Sequence, residues 1–334
     1  MVGSRALWVG TYTGEMGAGS GVYRVPLAPG GLPERARLAV DAASPSFLAT
    51  HPSADVLYAV EEAEAGTVTA YSVLGGSLRS LGSAAVGSLP CHLSVQHGHL
   101  VVADYGSGTV HAVPLGADGA FAGTPLVASG RGSGPDATRQ EGPHAHMTAA
   151  APDGHVLATD LGADLVRSFT LSGGTLALAG ETRLPAGCGP RHLAVHPSGH
   201  VYVVTELAAT LLVLRPSGGY AALEVVAESA ATASGGPAQC AAIKVGDGFV
   251  YTSARGPDVV TAHRILDGGA ALEPVADVPS GGAWPRDLHV DGDRLYVANE
   301  RGHTVTAFRI GDDGIPAQDG PGLAVPSPVC VIPA

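Results

Sequence analysis

Short apolar runs of about five to seven residues recur along the chain, separated by polar turns, and many alternate apolar and polar positions with a period of two. That pattern predicts β-strands and excludes helical repeats, whose apolar positions would recur every three to four residues. Aligning the chain with itself gives a repeat: SPSFLATHPSADVLYAVEE from Ser44, LPCHLSVQHGHLVVADY from Leu89, GPHAHMTAAAPDGHVLATDLG from Gly142, GPRHLAVHPSGHVYVVTEL from Gly189, GPAQCAAIKVGDGFVYTSARG from Gly236 and AWPRDLHVDGDRLYVANERG from Ala283. Each unit has a proline, an apolar run, a polar turn and a second apolar run with a polar end. A third run follows, such as TVTAYSV, TVHAVPL, LVRSFTL or TVTAFRI. The anchors Pro45, Pro90, Pro143, Pro190, Pro237 and Pro285 are spaced by about 45–55 residues, which is room for about four short strands.

The two ends complete the count. LWVGTYT and GVYRVPL near the N-terminus look like the second and third strands of a unit without its first, and PSPVCVIP from Pro326 looks like that first strand. A closure that pairs the termini leaves no open sheet edge. The expectation is an all-β, seven-bladed β-propeller with four-stranded blades, one domain over 1–334. A solenoid would need polar caps, and these ends are apolar. The least regular segment is the glycine-rich insert SGRGSGPDATRQE (129–141), and long loops in compact folds are often functional.

Composition narrows the function classes. With 48 glycines and 25 prolines in 334 residues, the chain suits a turn-rich β-fold. Its formal net charge is −12 and Lys244 is the only lysine, which argues against nucleic-acid and anionic-membrane partners, because both require clustered positive charge. An anionic small molecule remains compatible if a few arginines converge. The start, MVGSRALWVGTYT, has no basic segment before a long apolar one, and no stretch of about 18 apolar residues occurs, so a cytoplasmic protein is expected, monomeric or a weak homodimer. Cys91, Cys188, Cys240 and Cys330 form no CxxC pair and read as buried free thiols.

In an antiparallel blade the start of the first strand and the end of the second share a rim, and the turn between them lies on the other. HPSAD, APDG, HPSG, VGDG and VDGD therefore fall on the far rim, where His51 and His196 are expected to stabilise turns. The opposite rim collects His92, His144, His146, Arg191, His192, Arg286 and Asp287 from first-strand starts. From second-strand ends it collects Tyr12, Glu62, Asp104, Asp160, Glu206, Arg255, Asn299 and Glu300.

The chemistry concentrates in 139–164, from RQEGPHAH to DLGAD. Two histidines at a spacing of two point the same way on a regular strand and suit either a metal or acid–base work. A zinc site wants further close ligands, and no other His or Cys has that local spacing, so no metal is assigned. His146 is a candidate general base, with a hydrogen-bonded channel histidine as the plain alternative. Arg191 and Arg286 occupy the same slot in PRH and PRD; a guanidinium fork suits an anion or a developing oxyanion, or an ion pair with Glu206 or Asp287. Glu206 or Asp160 would orient the base, although Asp beside Gly is commonly a turn cap. GxSxG is absent and GRGSG lacks GK[ST], which excludes a nucleophile elbow and a P-loop.

Taken together, VGTYT, GSGPDATRQEGPHAH, APDG with DLGAD, GPRHLAVHPSG with TEL, WPRDL and the terminal SPVC resemble the lactonase family of seven-bladed β-propellers. That group contains propeller-type 6-phosphogluconolactonase and fungal carboxy-cis,cis-muconate cyclase. The resemblance spans essentially the whole chain. It implies hydrolysis, or in the cyclase formation, of a lactone on a small acidic substrate without an organic cofactor, and it carries the family's polar channel residues onto His144, His146, Arg191, Glu206, Arg255 and Arg286. Two positions depart from it: Thr205 stands where NEL is usual, and Ala254-Arg255-Gly256-Pro257-Asp258 where NRGHD is usual. The reading that follows is a lactone hydrolase of carbohydrate metabolism with His146, Glu206, Arg191 and Arg286 as catalytic candidates. Arg139, His144, Asp160, His192, Arg255 and Asp287 are substrate-binding candidates. A cyclase or isomerase of an unsaturated acid, and a non-catalytic binding propeller, are the alternatives.

Overall fold

The computed structural model describes residues 5–334. They form seven sheets around a central channel, each with its strands in sequential antiparallel order from the channel outward. The innermost strands of blades 1 to 7 are Leu48–Thr50, Pro90–Gln96, Ala145–Ala150, Pro190–Val195, Gln239–Val245, Pro285–Asp291 and Pro328–Pro333. Blade 6 carries one additional short strand at its outer edge. Blade 7 is the shared one. Its innermost strand is C-terminal and pairs with Ala6–Thr11 through Leu7↔Pro333, Trp8↔Ile332 and Val9↔Val331. The expected closure is therefore the observed one. Among the described residues no helix is long and apolar enough to cross a membrane.

Second strands such as Val156–Asp160 and Val201–Thr205 are buried along their whole length, because other blades cover both of their faces. Outer strands such as Thr175–Arg183 and Leu223–Ala230 are largely exposed. The core consists of apolar layers between blades: one joins Trp8 and Cys330 of blade 7 to Leu48, Leu57 and Val68 of blade 1 and Leu93 of blade 2. All four cysteines are buried free thiols.

A tyrosine clasp repeats between neighbouring blades. Tyr58, Tyr202, Tyr251 and Tyr296, each on a second strand, donate their hydroxyls to the carbonyls of Gly119, Gly269, Gly314 and Gly31 on the next blade, at 2.6, 3.0, 3.0 and 2.8 Å. The glycines sit at φ of 80°, 104°, 79° and 83°, a backbone state that costs a side-chain-bearing residue but not glycine. A buried phenol needs a partner, so each clasp both satisfies the hydroxyl and fixes the angle between blades.

One local irregularity decides where the functional side chains point. Each of several inner strands carries a bulge near its start: pairing jumps from Pro90 to His92, from Ala145 to Met147, from Pro190 to His192 and from Pro285 to Asp287. The skipped residues are Cys91, His146, Arg191 and Arg286, and in the closing blade the jump from Pro328 to Cys330 skips Val329. A bulge leaves one residue out of the ladder and re-aims its side chain. All five line the channel cavity.

Candidate active site

The cavity lies on the rim that gathers first-strand starts and second-strand ends. Its enclosed part is only about 10 Å³, the space of a water molecule, and its walls include Glu62, Cys91, His146, Arg191, Arg286 and Asp287. His146 comes from blade 3, flanked by Cys91 on blade 2 and Arg191 on blade 4. Its ring stands edge-on to Tyr105 and His192, with centroids 5.7 and 5.5 Å away, and its Nδ1 lies 3.8 Å from Cys91 Sγ. Burial, reinforced by Arg191, pushes the imidazole well below its usual pKa, so it is neutral at pH 7 and has a free lone pair.

Beside it is a charge cluster built on Glu206. Oε1 accepts Arg139 Nη2 at 2.6 Å, and Oε2 meets Arg255 Nη2 at 2.7 Å and Arg191 Nε at 3.1 Å. Burial would raise the acid's pKa, but the guanidiniums, led by Arg255 and Arg191, hold it far below the carboxylate range. Arg191 feels the converse: burial and the neighbouring cations lower it to about 10, which leaves it charged at pH 7. Three cations thus share one carboxylate, and the cluster keeps positive charge for an anion.

A second cluster occupies the opposite wall. Arg286 donates to Tyr12 Oη at 2.5 Å, lies 4.9 Å over the Tyr12 ring and approaches Glu300 at 3.5 Å. Tyr12 Oη in turn donates to Glu62, with both carboxyl oxygens at 3.1 Å. Asp287, buried below, accepts Val331 N–H at 3.0 Å and lies 4.0 Å from Lys244 Nζ.

Arg139, a substrate-binding candidate from the sequence, reaches the site from the long insert. Asp136 caps the backbone of Thr138 and Arg139, and Gln140, fully buried, donates to Leu161 O at 2.9 Å and to Asp164 at 2.8 Å. The loop is therefore anchored to the turn of blade 3, and Arg139 projects over the channel from a fixed base.

Several sequence-predicted residues are placed elsewhere. His144 and His146 do not share a face, because the strand begins at Ala145 and the bulge turns His146 alone into the cavity. His144 stacks on Tyr105 at 4.4 Å, donates from Nδ1 to Tyr105 O at 2.8 Å and faces Glu141 at 3.2 Å. Asp160 pairs with Arg167 at 2.8 Å and caps the His144 and Ala163 amides, so its carboxylate is spent on the blade and does not contact His146. Asp104 binds His111 at 2.6 Å and Asn299 donates to Ser280 O at 3.3 Å, both within local structure. His192 accepts Arg191 Nη1 at 3.3 Å and forms a buried wall with His92. His51 and His196 accept turn amides through Nδ1, as expected for the far rim.

Cys91 and Tyr105 are among the site residues that sequence reasoning passed over, with Ser46, Phe47 and Val329 of the cavity wall. Cys91 follows its anchor proline as Arg191 and Arg286 follow theirs, and that shared slot was the available signal. Among the described residues no group of three or more His, Cys, Asp or Glu is arranged to hold a metal.

The comparisons agree with this architecture. The chain is 33% identical over 341 aligned residues, spanning 97% of both chains, to the 6-phosphogluconolactonase of Bacillus subtilis. A solved protein from Lactobacillus plantarum superimposes with a TM-score of 0.92 at 25% identity over 99% of each chain. A putative 6-phosphogluconolactonase from Bacteroides fragilis does so with a TM-score of 0.90 at 26% identity, covering 100% of this chain and 99% of that one. The model of the lactonase family, seven-bladed β-propeller, matches residues 6–333, and the chain belongs to that family.

Proposed function

We propose that this protein hydrolyses the lactone of a small anionic sugar acid at the channel mouth. The observation that carries the reading is the cavity itself, in which a neutral imidazole and two guanidiniums converge from bulges on three blades. His146 acts as general base on the attacking water, a role that suits its free lone pair. Arg191 stabilises the oxyanion that forms on the carbonyl, and Arg286 fixes the ring from the facing wall. Arg139 and Arg255 hold the anionic group, for which a guanidinium fork is geometrically matched. Glu206 is the anchor that keeps three arginines together; it makes no hydrogen bond to His146 and does not orient it. The buried wall of His192 and the position of Asp287 shape the cavity floor.

The Bacillus subtilis relative supports a phosphorylated sugar lactone as the substrate class. The buried thiols support a reducing, cytoplasmic setting. His146→Ala should lower kcat on 6-phosphogluconolactone by about 10²–10⁴-fold, the usual contribution of a general base. In ¹⁸O-labelled water the wild-type product should gain one label in its carboxylate. Unchanged turnover removes His146 from the mechanism, and an unlabelled product replaces hydrolysis with isomerisation.

A further inference from the structure

Lactone opening requires a second proton transfer that His146 does not make. When the tetrahedral intermediate collapses, the bond between the carbonyl carbon and the ring oxygen breaks and its electron pair goes to that oxygen. An alkoxide is a poor leaving group, so a proton must arrive as the bond breaks. We propose that Glu62 is the general acid that protonates the departing ring oxygen. The inference rests on the lactonase reading and adds a catalytic residue to it.

Glu62 follows the second strand of blade 1, Val56–Glu61, and its amide is tied to Ser44 O at 3.2 Å. Its carboxyl group and the His146 ring line the same cavity from blades 1 and 3, with Cys91 of blade 2 between them. A lactone ring held at the mouth of that cavity would have the base from blade 3 and the carboxyl from blade 1 beneath it. Water is activated by the first, and the ring oxygen leaves toward the second.

The surroundings of the two site carboxyls differ in the way that this division of labour needs. Glu206 is in direct contact with three guanidiniums and is locked in its ionised form. Glu62 is separated from Arg286 by the Tyr12 hydroxyl, which takes the guanidinium on one side and meets both carboxyl oxygens on the other. Glu300 shares the charge of Arg286 as well. The groups facing Glu62 are Tyr12 from blade 7, Arg286 from blade 6, Arg191 from blade 4, Cys91 from blade 2 and Ser46 from its own blade. Burial raises its pKa above the usual carboxylate value, against the opposing pull of Arg286. Two carboxyls whose environments drive them apart mark an acid and a permanent anion.

The proton balance closes over one turnover. Glu62 gives its proton to the ring oxygen, which becomes the product hydroxyl, and is left as a carboxylate. His146 holds the proton taken from water and releases it to solvent, and Glu62 regains one from solvent. The new carboxylic acid ionises as the product leaves.

The experiment is Glu62→Gln assayed against two substrates, with near-UV circular dichroism to verify the fold. On 6-phosphogluconolactone, whose leaving group is an aliphatic alcohol, kcat should fall about 10²–10⁴-fold. On an aryl lactone bearing a carboxylate, whose phenol needs little help to leave, the loss should shrink below about tenfold. The wild-type rate should decline as rising pH ionises Glu62, and that limb should vanish in the variant. Equal losses on both substrates, or a limb that persists, overturn the assignment. If the wild type refuses the aryl lactone, the limb alone decides. Wild-type protein inert toward the sugar lactone overturns the underlying reading and the inference with it, whereas an active wild type with an unaffected variant removes only Glu62.

Discussion

Glu206→Gln separates the charge anchor from the chemistry. Glutamine keeps the shape but presents one acceptor and one donor to a site lined with donors, so an amide N–H must face Arg139 on one side or Arg191 and Arg255 on the other. Removing one member of a buried ion pair costs about 3–5 kcal/mol, because the remaining charge stays desolvated. Arg191 and Arg255 are buried and keep that penalty, whereas the Arg139 side chain, 33% exposed, recovers water and contributes little. For a chain of 334 residues the unfolding entropy at the midpoint is about 0.7 kcal/mol per kelvin, which converts the penalty to a Tm lower by about 4–7 °C.

Calorimetry at pH 7 measures this directly. The folded pKa of Glu206 is depressed, so its stabilisation is complete above the unfolded carboxylate value and is lost as pH falls toward the folded one. The gap between wild type and variant should therefore hold from pH 7 to about pH 4.5 and narrow only below that. Pairing Glu206→Gln with Arg255→Met should cost less than the sum of the single changes, with a coupling of about 0.5–3 kcal/mol. A Tm within about 1 °C of wild type, or strictly additive single changes, would refute the view that this carboxylate holds the arginines in place.

Two further outcomes follow from the same geometry. Arg139→Ala should raise KM for the sugar lactone about tenfold with a smaller effect on kcat, since it removes one charge-assisted contact at the exposed edge of the site; steady-state kinetics check it. Deleting 327–334 removes the innermost strand of blade 7 and leaves Ala6–Thr11 unpaired on one side, so the shortened chain should be recovered as aggregate, and a monodisperse, cooperatively melting product would contradict the closure.

Repetition carries the fold openly in the sequence. Prolines mark the inner strands, and the lone apolar run at each terminus announces the shared blade. The tyrosines of VLYAV, HVYVV, FVYTS and RLYVA were equally visible at one register, and each proves to be an inter-blade clasp. The site was legible only as a rim. Aligning units on their prolines puts His144 in the slot of Cys91, Arg191 and Arg286, but blade 3 is offset: Ala145 opposite Asp160 takes the place held elsewhere by Pro90 opposite Asp104 and Pro190 opposite Thr205. The bulge that follows selects His146, and a spacing of two reveals neither the offset nor the bulge. Asp160, Asp104 and Asn299 sit at the right ends of strands, yet their side chains are consumed by neighbours that only the folded chain brings close.

The bulges also explain why catalysis and stability can be tested apart here. A residue at a bulge makes no ladder pair, so the strand keeps its remaining hydrogen bonds whatever side chain stands there. His146 rests on that footing, with Met147↔Thr159 and Thr148↔Ala158 continuing the ladder beyond it. The apolar layers lie between the blades and do not depend on its imidazole. Glu206 is different. It follows the second strand of blade 4 and binds arginines from blade 4, blade 5 and the long insert, so it joins parts of the ring that no ladder joins. Substitution at His146 should consequently act on kcat while the melting curve stays close to wild type, and substitution at Glu206 should move the melting curve first.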